Sequence, residues 1–290
     1  MKIKRLGDVH CLVGEGPLWD VAEQALYFID LLGKILWRYD PVTAVFTRWD
    51  APEIIGSHAL CQSGGSLLAL ETGFYHLDHA DGRLKFLAAP DGLSDRVGFN
   101  DGKIDPRGRF VAGTQARLRA EIGPIGSIYR LDPDLTTARI GGPISVPNGP
   151  CWSPDGRIFY FADSELRLVF AYDYDLEQGT LSNQRVFADT SSFGGIPDGA
   201  TVDADGRYWV AIMHSGKILC YRPDGAIERI IETPVSTPTS VMFGGVGLDA
   251  LYFTSIEPTL VGQAPEADGG GLFVIEGLGA TGLPERRFGG

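Results

Sequence analysis

No stretch of this chain approaches the roughly 18 consecutive apolar residues of a membrane-spanning helix. Met1 is followed by Lys-Ile-Lys-Arg and Gly7-Asp8 rather than by the apolar run of a secretory signal, so the expected compartment is the cytoplasm. Positive charge is scarce. Against 37 Asp and Glu stand 25 Lys and Arg, a net charge of −12, which argues against a nucleic acid or an anionic membrane as partner, since both need a cationic face. The four cysteines, Cys11, Cys61, Cys151 and Cys220, are widely scattered, and three lie in or beside repeated strands. Buried thiols are expected rather than disulfides. Also missing are a linker, a low-complexity tract, a long amphipathic helix, a G-x-S-x-G elbow, a Walker loop and a closely spaced Cys/His zinc cluster. Gly245-Val-Gly247 is only a fragment of a dinucleotide loop and follows no βαβ pattern.

What the chain does have is glycine and proline, 39 and 18 of its 290 residues, and a phrase that returns six times. Each copy is an apolar residue, a polar turn with Gly or Asp, and an alternating aromatic and aliphatic strand. The copies begin at Leu18, Leu60, Ile104, Trp152, Val202 and Met242. Their spacing of roughly 40 to 50 residues is that of a four-stranded propeller blade. The turns DPRGR, SPDGR and DADGR suit tight reversals, because Asp and Gly supply the backbone angles. Outer strands are expected at ILWRYD (35–40), FYHLD (74–78), SIYRLD (127–132), LVFAYDYD (168–175) and KILCYRPDG (217–225), each alternating apolar with polar. The chain therefore predicts an all-β fold, one six-bladed β-propeller domain over 1–290. Residues 2–6 (KIKRL) are expected to close the ring against C-terminal strands such as GGGLFVIE (269–276).

The residues just ahead of each repeat carry the functional signal. Glu15 stands three residues before Leu18; Asn100, Asn148 and Asp198 stand four before Ile104, Trp152 and Val202. The other two blades have Gly56 and Pro238 at that offset, which offer no side-chain ligand. A propeller places the start of every innermost strand around one mouth of its channel, so Glu15, Asn148 and Asp198 should converge there. Two carboxylates and an amide are hard oxygen ligands for one divalent cation with positions left for water and substrate. Oxygen ligation favours Ca²⁺, Mg²⁺ or Mn²⁺, while Zn²⁺ or ferrous iron can also occupy such a site. Asn-Gly and Asp-Gly are also common turn formers; Glu15, within Gly-Glu-Gly-Pro, is not explained that way.

Four segments, GEGPLWD (14–20), FNDGKIDPRGRFVAGT (99–114), VPNGPCWSPDGRIFYFADS (146–164) and PDGATVDADGRYWVA (197–211), resemble the SMP-30/gluconolactonase family across almost the whole chain. The resemblance implies a six-bladed propeller that hydrolyses aldonolactones, with Glu15, Asn148 and Asp198 on the metal, Asp198 as general base and Asn100 touching metal-bound water or substrate. Asp101 is the alternative base, or braces a loop. Where many relatives carry Arg two residues before this asparagine, this chain has Gly98. The next loop, Gly113-Thr-Gln-Ala-Arg117-Leu-Arg119-Ala-Glu121, supplies candidate substrate contacts, with Arg117 or Arg119 reaching in to replace the missing cation, or else a solvated charged loop. An Arg fork there would suit an acid-bearing lactone.

His58 and His214, placed in or beside innermost strands, are candidate contacts to a sugar hydroxyl or else rim and core residues; His76 and His79 are expected on the surface. The expected activity is metal-dependent hydrolysis of a small-molecule sugar lactone by a monomer or small homo-oligomer. The alternatives are another metal-dependent esterase or phosphotriesterase on the same ring, and a non-catalytic calcium-binding propeller.

Overall fold

The computed structural model describes residues 1–289, in which 24 strands form six four-stranded antiparallel sheets. Each sheet is one blade. In blades one to five the strands follow chain order from the axis outward, and the innermost are Gly14–Asp20, Ile55–Leu60, Val97–Ile104, Pro147–Trp152 and Ile196–Val202. Blade six runs outward from Pro238–Gly244 through Ala250–Ser255 and Leu272–Glu276, and its outermost strand is Lys2–Arg5 from the start of the chain. Lys2 pairs with Glu276 and Arg5 with Phe273. The expected closing strand is thus real, with Leu6 just beyond it and its N–H on the Leu272 carbonyl at 2.8 Å. Among the described residues no helix is long and apolar enough to cross a membrane.

The repeated turns hold their shape through an aspartate that serves both backbone and side chain. Asp105 accepts the N–H groups of Arg107 and Arg109 at 2.8 and 2.9 Å, and pairs with the Arg109 guanidinium at 2.5 Å. Asp203 repeats the arrangement in blade five with Asp205, Arg207 and Trp209. Gly108 and Gly206 sit in these turns at φ of 80° and 81°, where a side chain would be strained.

The core lies between blades rather than at the axis. Six apolar clusters occupy the six seams, including the seam where blade six meets blade one. There Trp19 stacks on Tyr252 with ring centroids 5.4 Å apart. Filling every seam closes the ring and leaves only short, protected sheet edges along the channel. All four cysteines are free and buried, as expected.

Residues 277–289 form no regular strand and cross the end of the ring where the innermost strands finish. Gly282 N–H bonds the Leu248 carbonyl, Ala204 N–H the Thr281 carbonyl, Phe288 N–H the Leu60 carbonyl and Gly289 N–H the Gly108 carbonyl, all within 2.7–3.0 Å. Glu285 enters the channel to pair with Lys103 at 3.4 Å, and Arg287 pairs with buried Asp20 at 2.6 Å. This strap closes one end of the channel. The sequence pattern gave no sign of it.

Candidate functional site

At the opposite end, every innermost strand slips register against its neighbour at the same level. The slips fall between Glu15 and Leu18, Ile55 and Ser57, Phe99 and Gly102, Asn148 and Cys151, Pro197 and Ala200, and Pro238 and Val241. A bulge bends a strand and re-aims its side chains. Here a ring of bulges falls where the sequence placed its oxygen ligands. Gly16 and Gly149, directly after Glu15 and Asn148, take φ of 54° and 61°, which only glycine adopts freely. Tight spacing explains the ligand-free blade two: a Cβ on Gly56 would lie 2.3 Å from the Phe99 carbonyl oxygen of blade three.

Glu15 and Asp198 come together with their carboxylates at hydrogen-bonding range of one another. Burial pushes both well above the ordinary carboxylate range. Each is raised further by neighbouring negative charge, Asp198 and Asp101 acting on Glu15, and Asp101 on Asp198. No Lys or Arg figures among the groups acting on either.

Asn100, Asn148 and Asp198 are 9%, 6% and 5% exposed. The Asn100 amide donates to the Pro147 carbonyl and to Asn148 Oδ1, both at 2.8 Å. Its own Oδ1 accepts from Gln115 Nε2 at 3.3 Å. Asn148 Nδ2 donates to Ser164 Oγ at 2.8 Å, and Ser164 donates to the Pro197 carbonyl at 2.6 Å, next to Asp198. This relay fixes which end of the Asn148 amide carries its oxygen, and Ser164 is a residue sequence reasoning missed. Asn100 is correspondingly less free than expected: both its amide hydrogens are spent on the protein, and only its Oδ1 has capacity left.

Asp101 is a brace. Its two oxygens accept the Gly102 and Gly149 N–H groups at 2.8 Å each, joining blades three and four. Beneath it Lys103 donates to the Ala200 carbonyl at 3.1 Å and meets Glu285 of the strap. Burial raises the Asp101 pKa, while the two N–H groups and Lys103 hold it back.

His58 needs correcting. It is buried in the innermost strand of blade two, with Nε2 2.7 Å from the Gly16 carbonyl. That bond requires the proton on Nε2, and Nδ1 is left without a partner. Burial pushes its pKa down to about 4, so the ring is neutral. It faces a cavity of about 20 Å³ bounded by Gly16, Asp101, Lys103 and Ser240, room for about one water and no sugar. Glu121 is a second correction: it is exposed and paired with Arg96 at 3.3 Å. His79 is a third, since it is half-buried and stacks on Tyr27 and Trp49 at 5.4 and 4.5 Å.

Arg117 lies over Gly98, where an added Cβ would come 3.5 Å from its Cγ. Its guanidinium, however, is committed to the Val97 and Glu71 carbonyls at 3.0 and 2.6 Å and to the Glu71 carboxylate at 3.3 Å. Arg119 makes no ion pair or hydrogen bond through its side chain among the described residues. His214 is not on an innermost strand but in the turn after Tyr208–Met213, at φ 73°. A hollow of about 380 Å³ lies at the far end, between Trp19, Leu60, Pro106 and Arg287, away from the carboxylates; chemistry rather than volume singles out the bulged end.

Residues 13–257 match the model of the SMP-30/Gluconolactonase/LRE-like region. The chain belongs to that family. It is 35% identical to regucalcin of Oryctolagus cuniculus over 301 aligned positions, covering 100% of this chain and 99% of the relative. Among solved structures, a luciferin-regenerating enzyme superposes with a TM-score of 0.91 at 28% identity, covering 99% of each chain. A calcium-binding regucalcin from Agrobacterium tumefaciens superposes with a TM-score of 0.89 at 27% identity, covering 98% of this chain and 96% of that one.

Proposed function

We propose that this protein hydrolyses a sugar lactone at a divalent cation held by Glu15, Asn148 and Asp198. The observation that carries the reading is the pair of carboxylates Glu15, half-buried, and Asp198, buried, close enough to act on one another with no Lys or Arg among the main influences on either. Two like charges in a desolvated site call for a cation. Among the described residues no three His, Cys, Asp or Glu side chains converge as a metal set. The third donor proposed is instead the amide oxygen of Asn148, presented by Ser164. Oxygen donors of this kind fit Ca²⁺, Mg²⁺ or Mn²⁺, and membership of a family named for gluconolactonase supports the substrate class.

A divalent cation bound there supplies Lewis-acid polarisation of the lactone carbonyl and lowers the pKa of nearby water. Asp198 takes the proton of the attacking water on a carboxylate oxygen and returns it to the departing ring oxygen, so the lactone opens to its hydroxy acid. General base catalysis of this kind is worth about 10²–10⁴ in rate. Glu15 adds negative charge to the ligand set and takes no proton. Asn100 holds Asn148 in register and offers its free Oδ1 lone pair to a substrate hydroxyl.

The test is a pH-indicator assay over five- and six-carbon aldonolactones, with and without chelator. Turnover that disappears with chelator and returns with added divalent ion supports the reading. Cation binding with no turnover on any lactone would favour the other reading, a calcium-binding propeller, to which the naming of the Agrobacterium relative as calcium-binding lends support.

A further inference from the structure

The turn between the second and third strands faces the bulged end of the ring in every blade. In blades three, four and five, which also supply Asn100, Asn148 and Asp198, this turn presents Arg119, Arg167 and His214. Arg167 and His214 both sit at positive φ, 58° and 73°, so the tight reversals themselves place these side chains. Arg119 and Arg167 lie close enough to His214 for their charges to act on it. Behind burial, the larger cause, they push its pKa below the ordinary value.

Neighbouring acids do not neutralise the two arginines. Glu71 is taken by Arg117, Glu121 by Arg96 and Glu257 by His10. Glu165, two residues from Arg167, makes no ion pair with it among the described residues. Two unpaired guanidinium groups thus stand at the rim of a protein whose net charge is −12. The loop of blade six completes the arc, with Gln263 Nε2 3.4 Å from His214 Nδ1.

We propose that Arg119 and Arg167, with His214 of the next blade beside them, form a subsite for an anionic group on the substrate, so that the preferred lactone carries a carboxylate or phosphate remote from its carbonyl. A guanidinium fork matches both oxyanions in geometry and stays charged at every working pH. His214 contributes a ring N–H. The inference rests on the lactonase reading for its reaction but makes a separate claim about recognition. Arg117, committed to Glu71, is not part of it.

The test compares D-glucaro-1,4-lactone with D-glucono-1,4-lactone, which share ring size and configuration and differ by a carboxylate against a hydroxymethyl group. 6-Phospho-D-gluconolactone beside unmodified D-glucono-1,5-lactone separates phosphate from carboxylate. The expected result is a kcat/KM at least about 10-fold higher for one anionic member over its neutral partner. That preference should fall in high salt. Arg119→Ala combined with Arg167→Ala should remove it through KM, leaving the neutral lactones within about twofold. Equal kcat/KM within each pair, or a double variant that loses both members equally, overturns the proposal.

Should no lactone turn over, the lactonase reading fails while the subsite remains testable by thermal shift. Glucarate or 6-phosphogluconate must then raise Tm more than gluconate does in the wild type and not in the double variant. Equal shifts overturn the proposal.

Discussion

The carboxylates of Glu15 and Asp198, carried by blades one and five, meet at one mouth of the ring with only negative side-chain charge acting on them. Because folding raises both pKa values, the folded chain keeps protons that the unfolded chain has already released. Stability therefore falls as pH rises from the unfolded carboxylate range, about 4, through the folded values. His58 and His79, lowered by burial, act in the opposite sense below about pH 6.5, so the informative quantity is a difference between proteins. With chelator present, Asp198→Asn should gain Tm relative to wild type as pH moves from about 5 to about 8. Saturating divalent ion should reverse that order. A difference that does not change with pH would contradict the placement of this pair.

Asp198→Asn keeps the shape of the side chain and removes its basicity. Steady-state kinetics on the best lactone should show kcat reduced by about 10²–10⁴, with circular dichroism unchanged. Glu15→Gln should act differently, weakening cation binding and recovering part of its rate at high metal concentration. Near-native kcat in Asp198→Asn would remove the proposed base.

Ser164 acts only through Asn148, which it holds by its amide. Ser164→Ala should weaken metal affinity by about 10–100-fold, the usual scale for a group that orients a ligand. kcat at saturating metal should stay close to wild type. Calorimetric titration with Ca²⁺ and Mn²⁺ reads this directly, and unchanged affinity would show that the relay through Pro197 is not needed.

Glu285 reaches Lys103 from the strap. Glu285→Ala leaves the Lys103 ammonium with the Ala200 carbonyl and the nearby charge of Asp101, and should cost about 1–3 kcal/mol in urea unfolding. Since Lys103 lies below the carboxylates, kcat should change little. A loss of activity larger than the loss of stability would give the strap a role at the reactive end.

Blade count, innermost strands and the Lys2–Arg5 closure were legible because each is written in a period or a repeated turn. The meeting of Glu15 with Asp198 and of Asn100 with Asn148 was legible too, since equal offsets in a repeat become equal heights in a ring. Ser164 was hidden by its ordinary place after a strand, and its importance comes only from the bulge that brings Pro197 beside it. Arg119 and Arg117 look alike in sequence; Glu71, far away in the chain, tells them apart by taking one of them. His58 was misjudged because a strand position near the axis does not say whether the side chain meets solvent. The strap has no periodicity at all, and its contacts are scattered over the ends of five blades.

That strap turns a through-hole into a cup. On the proposed lactonase reading, lactone would come in and the hydroxy acid leave by the one rim that Arg119 and Arg167 overlook. A doubly charged product would then linger under the same guanidinium groups that drew its precursor, and turnover would be governed by its escape.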